Sequence, residues 1–246
     1  MRWHTLNLRL VFVVVPVVIL GIVGCGGGGN QEDRFFYRLT NGIPLLNGGI
    51  DFVVDKKPEA TGLLYDSDTD YVEVNLDETN IFFDILDSAT GEFLDSIVAE
   101  KQDEQSLHLF AVGIKNGPLT LQPLAQIAPV VVNRTTPQGN VRIVFVHGYC
   151  RKAGTQTPNV DLIRSGQIQP VVSDLDFAGS STFVLPAGGY TLTARYAGLI
   201  SGEFLVSPLL NFEAGKVYIV LLEGIEDQAA PYQPKFRVFE EPIRDP

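Results

Sequence analysis

The chain has 246 residues, of which 29 are acidic and 18 are basic, so its formal net charge is −11 at pH 7. An acidic balance of this size argues against nucleic-acid binding and against direct adsorption to anionic lipid, because both need a basic surface. The length is sufficient for two modest domains.

The first 24 residues have the regions of a secretory signal peptide. Arg2 and Arg9 form the basic region, and Leu10–Val23 is an apolar run of 14 residues, too short to span a bilayer comfortably. The run leads into Ile-Val-Gly-Cys, ending at Cys25, which resembles a bacterial lipobox. That resemblance implies cleavage before Cys25 and attachment of lipid, palmitate included, to that residue. The alternative is an ordinary short signal that happens to end in cysteine.

A glycine-rich stretch, Gly26–Asp33, follows and predicts a flexible tether about 15 Å long in root-mean-square terms. A Gly at position 26, rather than Asp, resembles the sorting signal of Gram-negative lipoproteins bound for the outer membrane. Loss of Arg2 and Arg9 with the signal leaves 16 bases against 29 acids, a net charge of −13. We therefore expect a cell-envelope protein anchored in the membrane through Cys25, at the outer membrane if the host is Gram-negative.

Internal repetition indicates two copies of one unit. Gly91–Leu94 recurs as Gly202–Leu205 at an offset of 111 residues, and the apolar run 109–113 meets 220–224 at the same offset. Two further matches are 34–37 with 142–145, offset 108, and 50–52 with 160–162, offset 110. The alternative is chance similarity between two β-rich halves.

Each copy has about 100 residues with short alternating apolar runs, turn signals between them and no convincing amphipathic helix. The sequence therefore predicts an all-β protein with two tandem Ig-like or transthyretin-like β-sandwich domains. The predicted segments are the signal peptide 1–24, the lipidated cysteine and tether 25–33, the first sandwich 34–133, the linker 134–140 and the second sandwich 141–246.

The cleanest period-two alternation lies in Ser181–Gly198, which we interpret as a β-hairpin turning at Pro186–Gly189. Val72–Ile85 is its predicted counterpart in the first copy. The predicted inward set is Phe183, Leu185, Tyr190, Leu192, Ala194 and Tyr196. Val217–Leu222 is apolar on both faces, so it is either a central strand covered on both sides, which we favour, or the surface where the copies touch.

Four segments of the second copy stand out: VRIVFVHG (141–148), PNVDL (158–162), LPAGGYTL (185–192) and FEAGKVYIVLLEG (212–224). Together they resemble the DUF4397 family, a group of secreted or envelope-attached bacterial and archaeal β-domains without an assigned biochemical role. Residues 34–113 carry the resemblance in a degraded form. The family has a short acidic loop after the strand-end histidine, whereas here His147 precedes the longer, basic Gly148–Thr157.

The alternating aspartates Asp66, Asp68 and Asp70 are a calcium candidate, because hard cations take oxygen ligands from such loops. The full loop pattern fails, since Tyr71 stands where glycine is needed and Asp77 where glutamate is needed. The alternative is a solvated acidic turn. The second copy retains two of the three, Asp174 and Asp176.

Cys150 follows His147 closely and precedes Arg151 and Lys152, a setting that can lower a thiol pKa. Three interpretations are open: an incidental loop cysteine, an intermolecular disulfide, or a reactive thiolate. The first is favoured, because nothing in the sequence orients a base toward the sulfur. His108 lies on the opposite strand face from its leucine neighbours and is predicted to be a surface or packing residue rather than a metal ligand.

The chain has no GxSxG, Walker, HExxH or CxxC motif, so neither an enzyme activity nor a cofactor is predicted. We expect a lipid-anchored protein that acts by binding or by structural assembly. The leading hypothesis is an envelope or adhesion partner protein, contacted through Gly148–Thr157 or Pro186–Gly189. The alternative is a small-ligand or carbohydrate-binding module that uses exposed loop aromatics such as Tyr149.

Overall fold

The computed structural model describes residues 34–75, 80–100, 106–115, 124–132, 138–151 and 157–242. Over these ranges the chain is all-β, with 18 strands and no helix, which confirms the predicted fold class. No described helix is long and apolar enough to cross a membrane. The predicted signal peptide, Cys25, the tether, linker residues 134–137, Asp77 and Lys152 lie outside the described residues.

The first eight strands fall within the predicted first domain. They are β1 Arg34–Asn41, β2 Ile50–Val54, β3 Lys57–Leu63, β4 Val72–Asn75, β5 Asn80–Asp87, β6 Phe93–Glu100, β7 Ser106–Val112 and β8 Gln126–Val132. They form two four-stranded sheets, in the orders β4-β1-β7-β8 and β3-β2-β5-β6. One apolar core, which includes Tyr37, Leu39, Phe52, Phe83 and Leu109, draws residues from both sheets, so this half is a sandwich.

The second half contains ten strands. They are β9 Asn140–Cys150, β10 Val160–Arg164, β11 Val172–Leu175, β12 Ser180–Pro186, β13 Gly188–Tyr190, β14 Leu192–Tyr196, β15 Glu203–Val206, β16 Leu210–Phe212, β17 Val217–Ile225 and β18 Lys235–Glu241. The orders β12-β9-β17-β18 and β11-β10-β14-β15 repeat those of the first half, with the small pair β13-β16 added. β9 begins inside the predicted linker, at Asn140.

The predicted hairpin at Ser181–Gly198 is wrong in its pairing. β12 pairs with β9, whereas β14 pairs with β10 and β15, so the chain crosses from one sheet to the other. The predicted counterpart in the first copy crosses in the same way, between β4 and β5. The inward set is nevertheless right, with Leu185, Leu192 and Ala194 buried. Strands in facing sheets bury the same alternation in one core, so period two gives the buried face but not the pairing partner.

The two halves share one pattern of strand pairing. In each, the first strand is parallel to a later central strand, β1 to β7 and β9 to β17. Gly113 and Gly224, 111 residues apart, take the same backbone conformation with φ of 108° and 102°. Because Ala111 pairs with Asn41 and Leu222 pairs with His147, the first strands correspond at an offset of 106 (147 − 41), not at the predicted 108.

The Gly-Glu-Phe-Leu match also shifts, by one residue. Asp51 accepts a hydrogen bond from the Gly62 amide, and Asp161 accepts the equivalent bond from Asp174. These aspartates therefore occupy equivalent positions. In each half the register shifts once within the next strand pair, β5 with β6 and β14 with β15. Just past the shift, Leu86 pairs with Phe93 and Arg195 pairs with Glu203. Phe93 therefore corresponds to Glu203, an offset of 110, and not to Phe204.

The sandwiches pack against each other through a further apolar core. It contains Phe110, Val112, Ala128, Val130 and Val132 of the first half with Val144, Val146, Val217, Ile219, Leu221 and Phe239 of the second. Tyr218, Val220 and Leu222 face the core of the second sandwich instead. β17 is therefore a central strand and also part of the contact between the copies, so both interpretations of Val217–Leu222 hold.

The strands of the two halves run in the same direction. His108, near the start of β7, contacts Glu241, which pairs with Val217 at the start of β17. Ile114, just after β7, packs with Cys150 and Ile225, the last residues of β9 and β17. Arg34, the first residue of β1, lies at the opposite end from these contacts. We call the end with Ile114, Cys150 and Ile225 the distal end, and the opposite end, where β1 and β9 begin, the proximal end. Since β9 has 11 residues and runs from one end to the other, the two ends lie about 30 Å apart.

Candidate functional site

The acidic turn predicted as a calcium candidate holds the two sandwiches together. Asp66 forms ion pairs with Lys235 Nζ at 2.7 Å and with Arg237 Nε at 2.8 Å. Asp68 pairs with Arg38 and lies 3.6 Å from an Arg237 nitrogen. Three cations thus face these two carboxylates and that of Glu223, which leaves little net charge to attract Ca²⁺. Among the described residues, no group of three or more His, Cys, Asp or Glu side chains is arranged to hold a metal ion.

A buried glutamate completes this inter-sandwich cluster. Glu223 is fully buried, with its two carboxylate oxygens 3.4 Å from Lys235 Nζ and 3.5 Å from an Arg237 nitrogen. Burial raises its pKa to about 7, against the opposing influence of Arg237 and Lys235. Glu223 is not among the candidate residues predicted from the sequence. Two features of the sequence could have indicated the cluster: an acidic residue at the end of an apolar strand, and the alternation of Lys235 with Arg237.

His108 is a packing residue, but it is not on the surface. Its ring is fully buried, stacks on Phe110 at 4.0 Å, and makes contacts of 2.7 Å with Thr40 Oγ1 and 3.1 Å with Glu241 Oε1. Burial, with help from Arg38, lowers the pKa of His108 well below its ordinary value, and burial raises the pKa of Glu241 to about 7. The neutral ring fills a polar position between the two sandwiches.

Cys150 is the last residue of β9 and is fully buried, so the expectation of a loop cysteine is wrong. Its sulfur lies 3.7 Å from the Gly148 carbonyl oxygen, and its apolar neighbours are Ile114, Ile225 and Phe177. Burial raises the thiol pKa, the reverse of what a reactive thiolate needs. A sulfur with no exposed surface also cannot reach a second chain, so the structure contradicts both the reactive and the intermolecular-disulfide interpretations.

We expect the Cys150 thiol to be inert in the folded protein. In a Cys25→Ser variant, where Cys150 is the remaining cysteine, Ellman's reagent should react with it negligibly under native conditions and stoichiometrically in guanidinium chloride. Burial both blocks access and disfavours the thiolate. Rapid, complete labelling of the native protein would contradict the buried position.

Tyr149 is also buried in β9, which contradicts its predicted role as an exposed loop aromatic. Its ring stacks on Phe204 at 4.5 Å, and Phe204 stacks on Tyr196 at 4.7 Å. The Tyr196 hydroxyl donates to Glu226 at 2.9 Å, and the Arg151 guanidinium lies 5.1 Å from the Tyr196 ring centre. Since Phe204 and Arg151 already contact the Tyr196 ring, little of its face is left for stacking on a sugar.

His147 is buried at the same end of β9, where its Nε2 donates to the Pro158 carbonyl oxygen at 3.2 Å. Burial lowers its pKa to about 4, so the ring is neutral at physiological pH and is not a proton carrier there. His147 therefore does not provide the base that a reactive Cys150 would need.

The two predicted contact segments lie at opposite ends of the second sandwich. Pro186 pairs with Asn140, the first residue of β9, whereas Arg151 follows the last. Of the predicted loop Gly148–Thr157, the first three residues belong to β9 and residues 152–156 lie outside the described chain. The distal end therefore holds Arg151 and Thr157, and Pro186–Gly189 belongs to the proximal end.

Five exposed aliphatic side chains lie at the distal end, although others, such as Ile168 and Leu209, lie elsewhere. Ile200 is 94% exposed in the turn between β14 and β15, beside Leu199 at 53%. Three further exposed leucines lie at this end, after β1, after β3 and beside Ile114: Leu45, Leu64 and Leu124. Exposed apolar side chains grouped at one end are typical of a surface that binds another molecule. The distal end is the candidate functional site.

No protein-family model and no curated protein matches this chain. One similar solved structure is a family 26 carbohydrate-binding module from Eubacterium rectale in complex with maltoheptaose, at 8% identity and a TM-score of 0.24, over 85% of this chain and 97% of that one. Another is a "putative cell adhesion protein" from Bacteroides fragilis, at 9% identity and a TM-score of 0.21, over 80% of this chain and 84% of that one. At these TM-scores the similarity carries no argument about ligand or activity.

Proposed function

We propose that the protein is a lipid-anchored cell-envelope protein that binds a partner protein at its distal end and has no enzymatic activity. The observation that carries the proposal is that the chain enters the first sandwich at the end opposite to the candidate site. The chain enters the first sandwich at Arg34, on the proximal side, whereas the turn that carries Leu199 and Ile200 lies at the other end of the strands. A lipid on Cys25 followed by the Gly26–Asp33 tether would hold the proximal end toward the membrane.

The contact between the sandwiches makes the distal end a single presentation surface. The shared apolar core and the ion pairs of Asp66 with Lys235 and Arg237 join the two halves. Near the same place, Tyr65 of the first half lies 5.3 Å from Tyr232 of the second, ring centre to ring centre. Loops fixed on such a scaffold lose little conformational freedom on binding, which favours recognition. The resemblance to the DUF4397 family belongs to this proposal and adds no activity to it.

The exposed residues favour a protein over a glycan. Leu199 and Ile200 are aliphatic, and aliphatic side chains pack well into pockets of a protein surface, whereas sugar rings are usually held on flat aromatic faces. Tyr149, the aromatic residue on which the carbohydrate hypothesis relied, is buried. The carbohydrate-binding alternative therefore loses the aromatic residue on which it was based.

The test uses two matched isoleucines. Ile200 is 94% exposed at the distal end, and Ile168 is 89% exposed in the loop after β10, at the proximal end. In cross-linking pull-downs from intact cells, we expect one dominant partner with the wild type and with Ile168→Asp, and at least tenfold less of it with Ile200→Asp. The two variants should be equally stable, because neither side chain is buried.

A Cys25→Ser form tests the anchor in the same experiment. It should lose incorporation of labelled palmitate, and its capture of the partner should fall because the protein no longer concentrates at the membrane. Equal capture by the Ile200→Asp and Ile168→Asp variants would overturn the assignment of the distal end. If no protein is captured by any form, glycan binding by the soluble protein becomes the next measurement.

A further inference from the structure

A second surface stands out on the first sandwich, away from the distal loops. Beyond the polar pair of Asn80 with Glu100, the outward side chains of β5 and β6 form three cross-strand pairs: Phe82 with Val98, Asp84 with Ser96, and Leu86 with Phe93. Phe82, Val98 and Phe93 are 52%, 56% and 59% exposed, although a sheet face in water is normally polar. We call these six residues the apolar outer face.

The second sandwich provides an internal comparison for this face. At the positions of Asp84, Leu86 and Phe93 it has Thr193, Arg195 and Glu203, as the shared register and the equivalent hydrogen bonds of Asp51 and Asp161 establish. Arg195 pairs with Asp161 at 2.7 Å. Val206, 58% exposed, stands at the position of Ser96, but the other three positions are polar, so the fold does not require leucine at position 86 or phenylalanine at position 93.

In the first sandwich the basic partner is missing. Asp51 keeps the position of Asp161 and the equivalent backbone amide bond, but Leu86 replaces the arginine, and Asp51 accepts a hydrogen bond from Ser88 Oγ in its place. Asp84 lies between Phe82 and Leu86 on the outward side of β5, and among the described residues its side chain has no hydrogen-bond or ion-pair partner. β2, β5 and β6 contain no lysine or arginine at all.

This charge pattern selects the occupant. A lipid surface is disfavoured, because covering the face with acyl chains would desolvate an unpaired carboxylate. A second copy of the chain is disfavoured, because each chain carries a net charge of −11 and would present the same unpaired acid. A protein that places an arginine or lysine among apolar side chains satisfies both features of the face, since apolar contacts would cover the phenylalanines and the cation would pair with Asp84.

We propose that the apolar outer face of the first sandwich is a docking surface for a second protein, one that inserts an arginine or lysine between apolar side chains to pair with Asp84. This surface is separate from the distal end, and its use does not depend on which partner the distal end binds. Because the sandwiches form one body, the protein can then hold two partners at once and act as an assembly component.

The test places a photo-cross-linking amino acid in the centre of the face. Substitution of Ser96 with p-benzoylphenylalanine puts the probe opposite Asp84, and the matched control is the same substitution at Val206, the equivalent residue of the second sandwich, which pairs with Thr193. In intact cells we expect one protein adduct from position 96 and none of that mass from position 206. Peptide mapping of the adduct should identify a segment that contains arginine or lysine flanked by apolar residues.

Charge and apolar contacts are then tested separately. Asp84→Lys should reduce the adduct at least tenfold and Asp84→Asn less, and Phe82→Ser should reduce it with an unchanged melting temperature because Phe82 lies outside the core. Ile200→Asp should leave it intact, which separates this surface from the distal end. An adduct between two copies of this chain, an adduct with lipid, no adduct, or an adduct insensitive to Asp84→Lys would each overturn the proposal.

Discussion

Replacing Gly224 with alanine is expected to destabilise the protein by about 3 kcal/mol, since a strained backbone conformation is combined with a backbone clash. The φ of Gly224 is 102°, and a Cβ there would lie 2.3 Å from the Gln233 carbonyl oxygen. Gly113→Ala should behave alike, because its φ is 108° and its Cβ would lie 2.5 Å from the Leu124 carbonyl oxygen. Both substitutions push β7 or β17 away from the segment that returns along it.

The measurement is denaturant unfolding of residues 25–246 carrying Cys25→Ser, and the chain offers a control. Gly166 also has a positive φ, 79°, but an added Cβ would meet nothing within 4 Å. Gly166→Ala should therefore cost about 1 kcal/mol, the preference against the left-handed region alone. Equal shifts of the midpoint for Gly224→Ala and Gly166→Ala would show that the close approach in the repeat does not constrain the fold.

Replacing Arg237 with leucine is expected to cost about 3 kcal/mol at pH 8, because it leaves a buried carboxylate short of its main counter-charge. Glu223 is fully buried, and Arg237 is the largest stabilising influence on its charged form. Lys235 remains at 3.4 Å, so the cost should lie at the lower end of the range for broken buried pairs. Glu223→Gln in the same background should recover part of the loss, because it removes the buried charge.

The pH dependence of this loss follows from the raised pKa of Glu223. Its folded pKa of about 7 exceeds the ordinary 4.5, so its contribution to stability is fully present below about pH 4.5 and is lost as the pH rises through 7. The penalty of Arg237→Leu should therefore be smaller at pH 5.5, where the folded protein holds Glu223 neutral, than at pH 8. Unfolding curves at both pH values test this, with Lys216→Ala, which removes the exposed pair with Glu240, as the control with no expected shift. A penalty independent of pH would mean that Glu223 does not titrate in this range.

The sequence was sufficient for the alternation of the strands but not for their partners. Leu185, Leu192 and Ala194 are buried as predicted, yet β12 and β14 lie in different sheets. A turn such as Pro-Ala-Gly-Gly can connect two paired strands or two strands in different sheets. Which of the two forms depends on the distant strands with which β12 and β14 pair. The predicted offset of 111 residues is correct for Gly113 and Gly224, which have the same backbone conformation. It is wrong by one residue for Phe93, which corresponds to Glu203.

The candidate site was predicted less well because its residues depend on tertiary burial. Tyr149 and Cys150 follow a glycine, which suggested a loop, but β9 continues through Gly148 because Val112 packs where a larger side chain would stand. The role of Asp66 and Asp68 depends on cations 169 residues further along the chain, in β18. Such pairings have no local signature. The exposure of Ile200 and Phe93 likewise follows from strand order and could not be read from their neighbours.

The parallel pairing of β1 with β7 determines how this protein carries a mechanical load. A pull applied at Arg34 and resisted at the far end of the molecule runs along β1, which lies between β4 and β7 in its sheet. The ladders on both sides of β1 are then loaded lengthwise, so their hydrogen bonds share the force and must yield together rather than open one after another. A molecule pulled from a membrane at one end and from a bound partner at the other would thus be strained in its strongest direction.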